Sequence, residues 1–432
     1  MAEDLKPTLS WLDAASIVVG IVIGAGIFVT PQELARLLPA TGAMTLAWVV
    51  SGLLVFCGAL AFAELSAMLP ATGGLYVYLK AAFGPAVAFS SGWVHLFALL
   101  SGATAYVASG FSRYLAALLP LPEGSGLLVT LLLIWGLALL AALSTAWAVW
   151  LQNITNVAKI LALALLIGLA FFAGSPAQGA PQAVAAGNFG LALATCFFCY
   201  EGWSYAGFVA GEMREPARDL PRAFAISFLL VVVLYLAVNL AYTRVLSIEE
   251  LQRSGQVGAD VAGRVLGVAG GKALAAVIVL AIVGTVNGLG LAASRLYYAQ
   301  ARDGLFLPGL EILHRGTGTP VRAIVAHAAV SSLLVLVSSS LGFVLQLAIS
   351  AAWLYYAVAV AGLIRLRARR PELPRPYRMW GYPWTPALFL AGTLGFLISL
   401  TMQSPWPSVC VLAVVGVSFP VHSWVARARA GI

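Results

Sequence analysis

Apolar residues run along the chain in blocks of roughly 20 or more, parted by glycine, proline and small clusters of charge. The blocks fall near 11–38, 43–69, 85–119, 126–148, 153–173, 189–211, 222–246, 271–301, 321–340, 342–366, 385–401 and 406–426. Blocks of that length suit α-helices that cross a bilayer, because a helix on a soluble core needs only one apolar stripe. The pattern therefore predicts an all-α membrane protein of twelve transmembrane helices.

Two blocks break the pattern. The first contains Gly24-Ala25-Gly26, and the sixth contains Glu201-Gly202-Trp203-Ser204-Tyr205-Ala206-Gly207, which puts a charge and two glycines inside an apolar stretch. Alone, a Gly-x-Gly in a membrane helix reads as a close-packing device. The two interruptions, however, lie about 180 positions apart, and the following blocks start at matching offsets, 43 and 222. This is the trace of two five-span repeats with discontinuous helices 1 and 6. Unwound backbone is tolerated at membrane depth only where it lines a cavity, so matched breaks point to a binding site.

Composition supports the membrane reading. Of 432 residues, 61% are apolar and only 9% charged, against about 25% charged in an ordinary soluble domain. A large soluble catalytic domain is excluded. The charge of +8, from 24 basic and 16 acidic residues, would suggest nucleic acid in a soluble protein. Here its placement explains it. Seventeen basic residues fall on the side of the termini, including the cluster Arg365 to Arg378, and six on the other, with Lys159 inside a span. By the positive-inside rule both termini are cytoplasmic, in the cytoplasmic membrane, and no nucleic-acid partner is implied.

The predicted organisation is a cytosolic tail (1–10), a first repeat (11–173), an extracellular connector (174–188), a second repeat (189–366), a basic cytosolic loop (367–384), two further spans (385–426) and a short tail (427–432). No cleavable leader is expected before the first span. The four cysteines lie in or beside apolar runs and read as packing residues, and the four histidines have no metal-ligand spacing, so no metal or cofactor is expected.

A broken helix offers both signs of partial charge. Donors at the half-helix starting near Gly26 suit a carboxylate, while carbonyls around Val22 and Ile23, and near Phe198 and Glu201, suit an ammonium group. A ligand carrying both on adjacent atoms is an α-amino acid. Lys159 shares one helical face with Asn153 and Asn156 and faces either the bundle interior or, by snorkelling, the cytoplasm. Glu201 reads equally as a substrate-facing carboxylate, favouring a cationic amino acid or a bound proton, or as a packing residue.

Several motifs resemble the amino acid-polyamine-organocation transporters, most closely the L-type amino acid transporter branch. They are Gly24-Ala25-Gly26-Ile27-Phe28 with Pro31; Ala63-Glu64-Leu65 with Pro70-Ala71-Thr72-Gly73-Gly74; the stretch Glu212 to Pro221; and Arg295 to Pro308 with Gly318-Thr319-Pro320. The likeness covers spans 1 to 10. It implies a five-plus-five inverted repeat, alternating access, and a substrate held between spans 1 and 6. Gly24, Ala25 and Gly26 would bind its carboxylate, carbonyls near Val22, Phe198 and Glu201 its ammonium, and Phe198 would be the aromatic gate. Ala25 stands where the family often has a hydroxyl residue. The resemblance places Lys159 where sodium-coupled relatives hold a cation, and Tyr235 in support near it.

The resulting expectation is a sodium-independent carrier of neutral L-amino acids, an exchanger or facilitator rather than an enzyme. A proton-coupled or cationic amino acid carrier is the alternative, and a membrane sensor a more remote one, since the tail after residue 426 is too short for a signalling domain. No cysteine is placed on the outer face, so no covalent accessory subunit is expected.

Overall fold

The computed structural model describes residues 7–24, 26–172, 188–338 and 340–430. Apart from one isolated backbone bridge between Leu9 and Met213, regular structure among the described residues is helical. The expected connector lies, except for Asn188, outside them, as do Met1 to Lys6 and the last two residues.

The first block forms two helices, α1 (Trp11–Val22) and α2 (Gly26–Leu37). Ser10 starts α1 with a capping box: its hydroxyl accepts from the Asp13 N–H, and the Asp13 carboxylate accepts from the Ser10 N–H. Next come α3 (Thr41–Met68), α4 (Leu75–Phe83), α5 (Pro85–Val94), a π-helical turn (His95–Leu99) and α6 (Leu100–Ala116). Then follow α7 (Gly126–Leu143) and α8 (Thr145–Phe172). The join between the last two falls earlier than the expected 148–153. Ser144 takes an extended backbone (φ −162°, ψ 123°) and separates them, although its neighbours are apolar enough to hide the break from a hydropathy reading.

The sixth block also forms two pieces, α9 (Asn188–Cys199) and a 3₁₀ helix (Trp203–Glu212). After it come α10 (Pro216–Val245), two short helices that hydropathy did not predict, α11 (Ile248–Arg253) and α12 (Val257–Leu266), and the long α13 (Val268–Arg302). The chain continues through α14 (Val321–Val337), α15 (Leu341–Arg369), α16 (Trp384–Gln403) and α17 (Pro405–Ala430). Among the described residues, nine helices are long and apolar enough to cross a membrane, and α1 and α14 are shorter apolar helices. The protein is a multi-pass membrane protein.

Packing is organised around the broken elements. α1 lies on the 3₁₀ helix and α2 on α9, so the four half-helices pair crosswise; α3 packs on α10 and α6 on α13. The outward faces of α7, α8, α16 and α17 carry leucine and tryptophan side chains such as Leu132, Leu161, Leu394 and Trp406. That is the surface a hydrocarbon solvent requires.

One end of the bundle is closed by buried charge. Glu212, ending the 3₁₀ helix, receives Arg295 Nε at 2.7 Å and Nη2 at 3.1 Å, and Arg295 also donates to Thr145 Oγ1 at 2.9 Å. The Leu9 N–H donates to the Glu212 carbonyl at 2.8 Å. Nearby elements are tied by Glu64, whose carboxylate accepts from both Arg367 Nε and Nη2 and from the Met379 N–H. At the other end α11 and α12 are joined by Glu250 and Arg264, at 2.6 and 3.1 Å.

Candidate substrate site at two helix breaks

Ile23 leaves helical geometry at ψ 76° and ends α1. Its N–H still reaches the Val19 carbonyl at 2.9 Å, and the Gly24 N–H turns back onto the Val22 carbonyl at 2.8 Å. The helix restarts at Gly26 as α2, with Ala25, expected at the carboxylate, outside the described residues. In the second break α9 stops at Cys199, and Gly202, at φ 110°, opens the 3₁₀ helix. That left-handed backbone explains the glycine.

The two breaks touch. A Cβ on Gly202 would stand 2.5 Å from Ile21 Cγ2, and one on Gly26 would stand 3.2 Å from Cys199 Sγ and 3.6 Å from Phe198 Cε1. Between them and α6 opens a cavity of ≈ 300 Å³, at the small end of ligand pockets. Val22, Gly24, Gly26, Phe198 and Glu201, all expected at the site, line it. Ile23 and Gly202 adjoin it, while Lys159 and Tyr235 stand behind its wall.

Those two side chains hold the breaks open as unwound backbone. Lys159 is 1% exposed and does not snorkel: its Nζ donates to the carbonyls of Gly20 at 2.8 Å and Ile23 at 3.1 Å. Thr285 on α13 adds a hydroxyl to the Gly20 carbonyl at 3.0 Å. Thus α8 and α13 both grip the end of α1. The Tyr235 hydroxyl lies 2.7 Å from the Val22 carbonyl and 3.1 Å from that of Cys199, which places one α10 side chain across the ends of both first half-helices. Carbonyls at a helix end must find partners, and here side chains supply them.

This changes one expectation. The carbonyls of Val22 and Ile23 were expected to face a ligand's ammonium, yet the first already accepts from the Gly24 N–H and Tyr235, and the second from Lys159. On the other break the Phe198 carbonyl accepts from the Glu201 N–H at 3.2 Å. The N-terminus of α2, whose first-turn N–H groups no carbonyl of its own helix can reach, brings its positive dipole end beside the cavity, with Gly26 in the wall.

Several cavity residues were not read from the sequence. Tyr106, Gly110, Arg113 and Tyr114 present one face of α6, and Gln256 enters from the loop before α12. Their helical spacing along α6 was a visible signal, but nothing in one sequence says which face of an apolar helix meets a cavity. Tyr205 also lines it; with Tyr356 it holds Glu201 Oε1, at 3.1 and 2.6 Å. Cys196 and Cys199 are buried, unpaired thiols on α9, and Cys199 Sγ meets Thr30 Oγ1 at 2.9 Å. Among the described residues no group of His, Cys, Asp and Glu is placed to hold a metal.

Comparison with known proteins agrees with the architecture. The amino acid permease family model matches residues 9–421. The large neutral amino acids transporter small subunit 2 of Mus musculus is 33% identical over 439 aligned positions, covering 97% of this chain and 81% of the relative. The human cystine/glutamate transporter is 31% identical over 411, covering 93% and 81%. The serine/threonine exchanger SteT of Bacillus subtilis (strain 168) is 28% identical over 434, covering 99% and 98%. A continuous match of this extent, over a helical membrane protein with two interrupted helices, means that the chain belongs to the amino acid permease family.

Proposed function

We propose that the protein carries neutral L-α-amino acids across the cytoplasmic membrane by alternating access, as an exchanger or facilitator that does not need sodium. The observation that carries the reading is the meeting of two broken helices at one small cavity. The nine long helices, together with α1–α2, α9 with its 3₁₀ continuation, and α14, make up twelve spans. The crosswise pairing of half-helices, and of α3 with α10 and α6 with α13, supports an inverted five-plus-five repeat over 11–173 and 189–366. Orientation follows the basic residues, with both termini and the 367–384 loop cytoplasmic and residues 174–188 outside. The relatives named for neutral amino acids and for serine and threonine support the substrate class.

In this reading the substrate carboxylate lies against Gly24, Ala25 and Gly26 at the start of α2, where the first-turn N–H groups and the helix dipole favour an anion. The ammonium lies on the side of Phe198 and Glu201, and Phe198 closes over the ligand. Lys159 fixes the break from behind with a charge of its own, the service a bound cation would otherwise perform. Tyr106, Arg113 and Gln256 line the cavity, while the Arg295–Glu212 pair and the Leu9 contact, none of them among its lining residues, form the closed gate in this reading. No covalent accessory subunit is required.

The test is counterflow into proteoliposomes preloaded with unlabelled leucine or alanine, in sodium and in choline. Labelled amino acid should accumulate equally in both salts. A strict sodium requirement would overturn the role given to Lys159, and binding without flux would turn the reading toward a sensor.

A further inference from the structure

The Val22 carbonyl already accepts two hydrogen bonds and the Ile23 carbonyl one from Lys159, so the first break has little main-chain acceptor capacity left for a cation. Glu201 is the acidic residue of the cavity wall. Its Oε1 is fixed by the hydroxyls of Tyr205 and Tyr356, and Tyr356 is itself held by Ser204 Oγ at 3.0 Å. The other oxygen, Oε2, is buried and receives no side-chain donor; the one further donor facing the carboxylate is the main-chain N–H of Gly202. Among the described residues no lysine, arginine or histidine forms an ion pair with it; Lys159 is committed to two carbonyls, and Arg113, which lines the same cavity, comes from α6. A carboxylate at membrane depth that is held only by two hydroxyls and one main-chain N–H, with no positive charge paired to it among the described residues, calls for a cation.

We propose that the Glu201 carboxylate, oriented by Tyr205 and Tyr356, is the counter-ion for the substrate's ammonium group. The inference rests on the amino acid reading above and deepens it: recognition of the amine runs through a side-chain charge rather than through main-chain carbonyls alone. The ligand class is a primary ammonium compound. An amino acid amide, which keeps the ammonium and loses the carboxylate charge, is recognised; an N-acyl amino acid, which does the reverse, is not.

The experiment is uptake of labelled L-alanine into proteoliposomes at pH 6.5, with L-alaninamide and N-acetyl-L-alanine as competitors, for the wild type, Glu201→Gln and Glu201→Asp. In the wild type the amide competes and the N-acetyl compound does not. Glu201→Gln keeps the shape but removes the charge, and raises KM at least about tenfold, the loss expected for a charge-assisted hydrogen bond; it also abolishes competition by the amide. Glu201→Asp recovers part of both. A Glu201→Gln KM within about twofold of the wild type, well inside one factor-of-ten step, would overturn the assignment. So would unchanged KM with loss of stimulation by an inward proton gradient, which would make Glu201 a proton carrier instead. Should Glu201→Gln not reconstitute, competition by the N-acetyl compound in place of the amide in the wild type decides against the proposal. Absence of any amino acid uptake by the wild type defeats the transport reading and this one together, whereas uptake with an indifferent Glu201→Gln defeats only this one.

Discussion

Replacing Gly202 by alanine tests whether the two breaks must meet closely. At φ 110° an L side chain costs about 1–2 kcal/mol. The added Cβ would stand 2.5 Å from Ile21 Cγ2 and 3.1 Å from Ile21 Cβ. The second atom is fixed to the α1 backbone, so relief requires α1 to move off the 3₁₀ helix, and overpacking of this kind costs about 1–3 kcal/mol. Together the two effects come to roughly 2–5 kcal/mol. Because the contact joins the two breaks, the cost falls on the arrangement that holds substrate, and uptake should drop by about 30-fold or more. Labelled alanine counterflow at matched protein density measures it. The Cγ2 part of the packing share is isolated in an Ile21→Ala background, which removes the 2.5 Å contact and keeps the 3.1 Å one to Cβ: there Gly202→Ala should cost several-fold less, while the backbone share and the Cβ contact persist. Wild-type flux in the single variant, or an equal penalty in both backgrounds, would refute the reasoning.

Other substitutions probe the remaining parts of the site. Lys159→Met removes an ammonium that donates to two carbonyls; with about 1.5–3 kcal/mol for a hydrogen bond to a charged group, uptake should fall at least tenfold, and sodium added to the assay should not restore it. Gly26→Val brings a branched side chain against Cys199 Sγ, already 3.2 Å from a bare Cβ; transport should fall by about ten- to a hundredfold while size-exclusion elution stays that of the wild type. Outside the spans, hydrogen bonds from Arg264 and then from the Ser247 N–H hold the Glu250 carboxyl down to about 2. A depressed pKa contributes stability above the ordinary carboxylate range and loses it as pH falls toward the folded value. Glu250→Gln should therefore lower Tm at pH 7 by the equivalent of less than about 1 kcal/mol for a half-exposed pair, and by less still at pH 3; a larger penalty at pH 3 would contradict the sign.

How far the molecule could be read in advance depended on whether each feature was local. Spans of apolar residues announce themselves, as do a Gly-x-Gly and a glutamate inside such runs, because both signals sit within a few residues of chain. The break at Ser144, in contrast, is a backbone event among apolar neighbours, and α11 and α12 are polar enough to pass for loop. The site divided the same way. Gly24, Gly26 and Phe198 were visible as positions, but the engagement of the Val22 carbonyl by Tyr235 spans 213 residues and that of Arg295 with Glu212 spans 83. Pairings at such separations are set by tertiary packing, and hydropathy does not encode them. The polar stripe of Asn153, Asn156 and Lys159 lay between the two cases. Its spacing showed a common face, and the fold supplied its partners: Asp13, Ser16 and the carbonyls of Gly20 and Ile23.

The central claim is that both interrupted helices hold one amino acid between them. Crystals of the purified protein grown with L-selenomethionine as the ligand, and with sulfur methionine in the chain, test it through the anomalous signal of selenium. The account predicts one strong peak inside the cavity bounded by Gly26, Phe198 and Thr285, with the ligand's carboxylate toward α2 and its ammonium toward Glu201. A peak at another place in the bundle, or an empty cavity at ligand concentrations that saturate uptake, would contradict it.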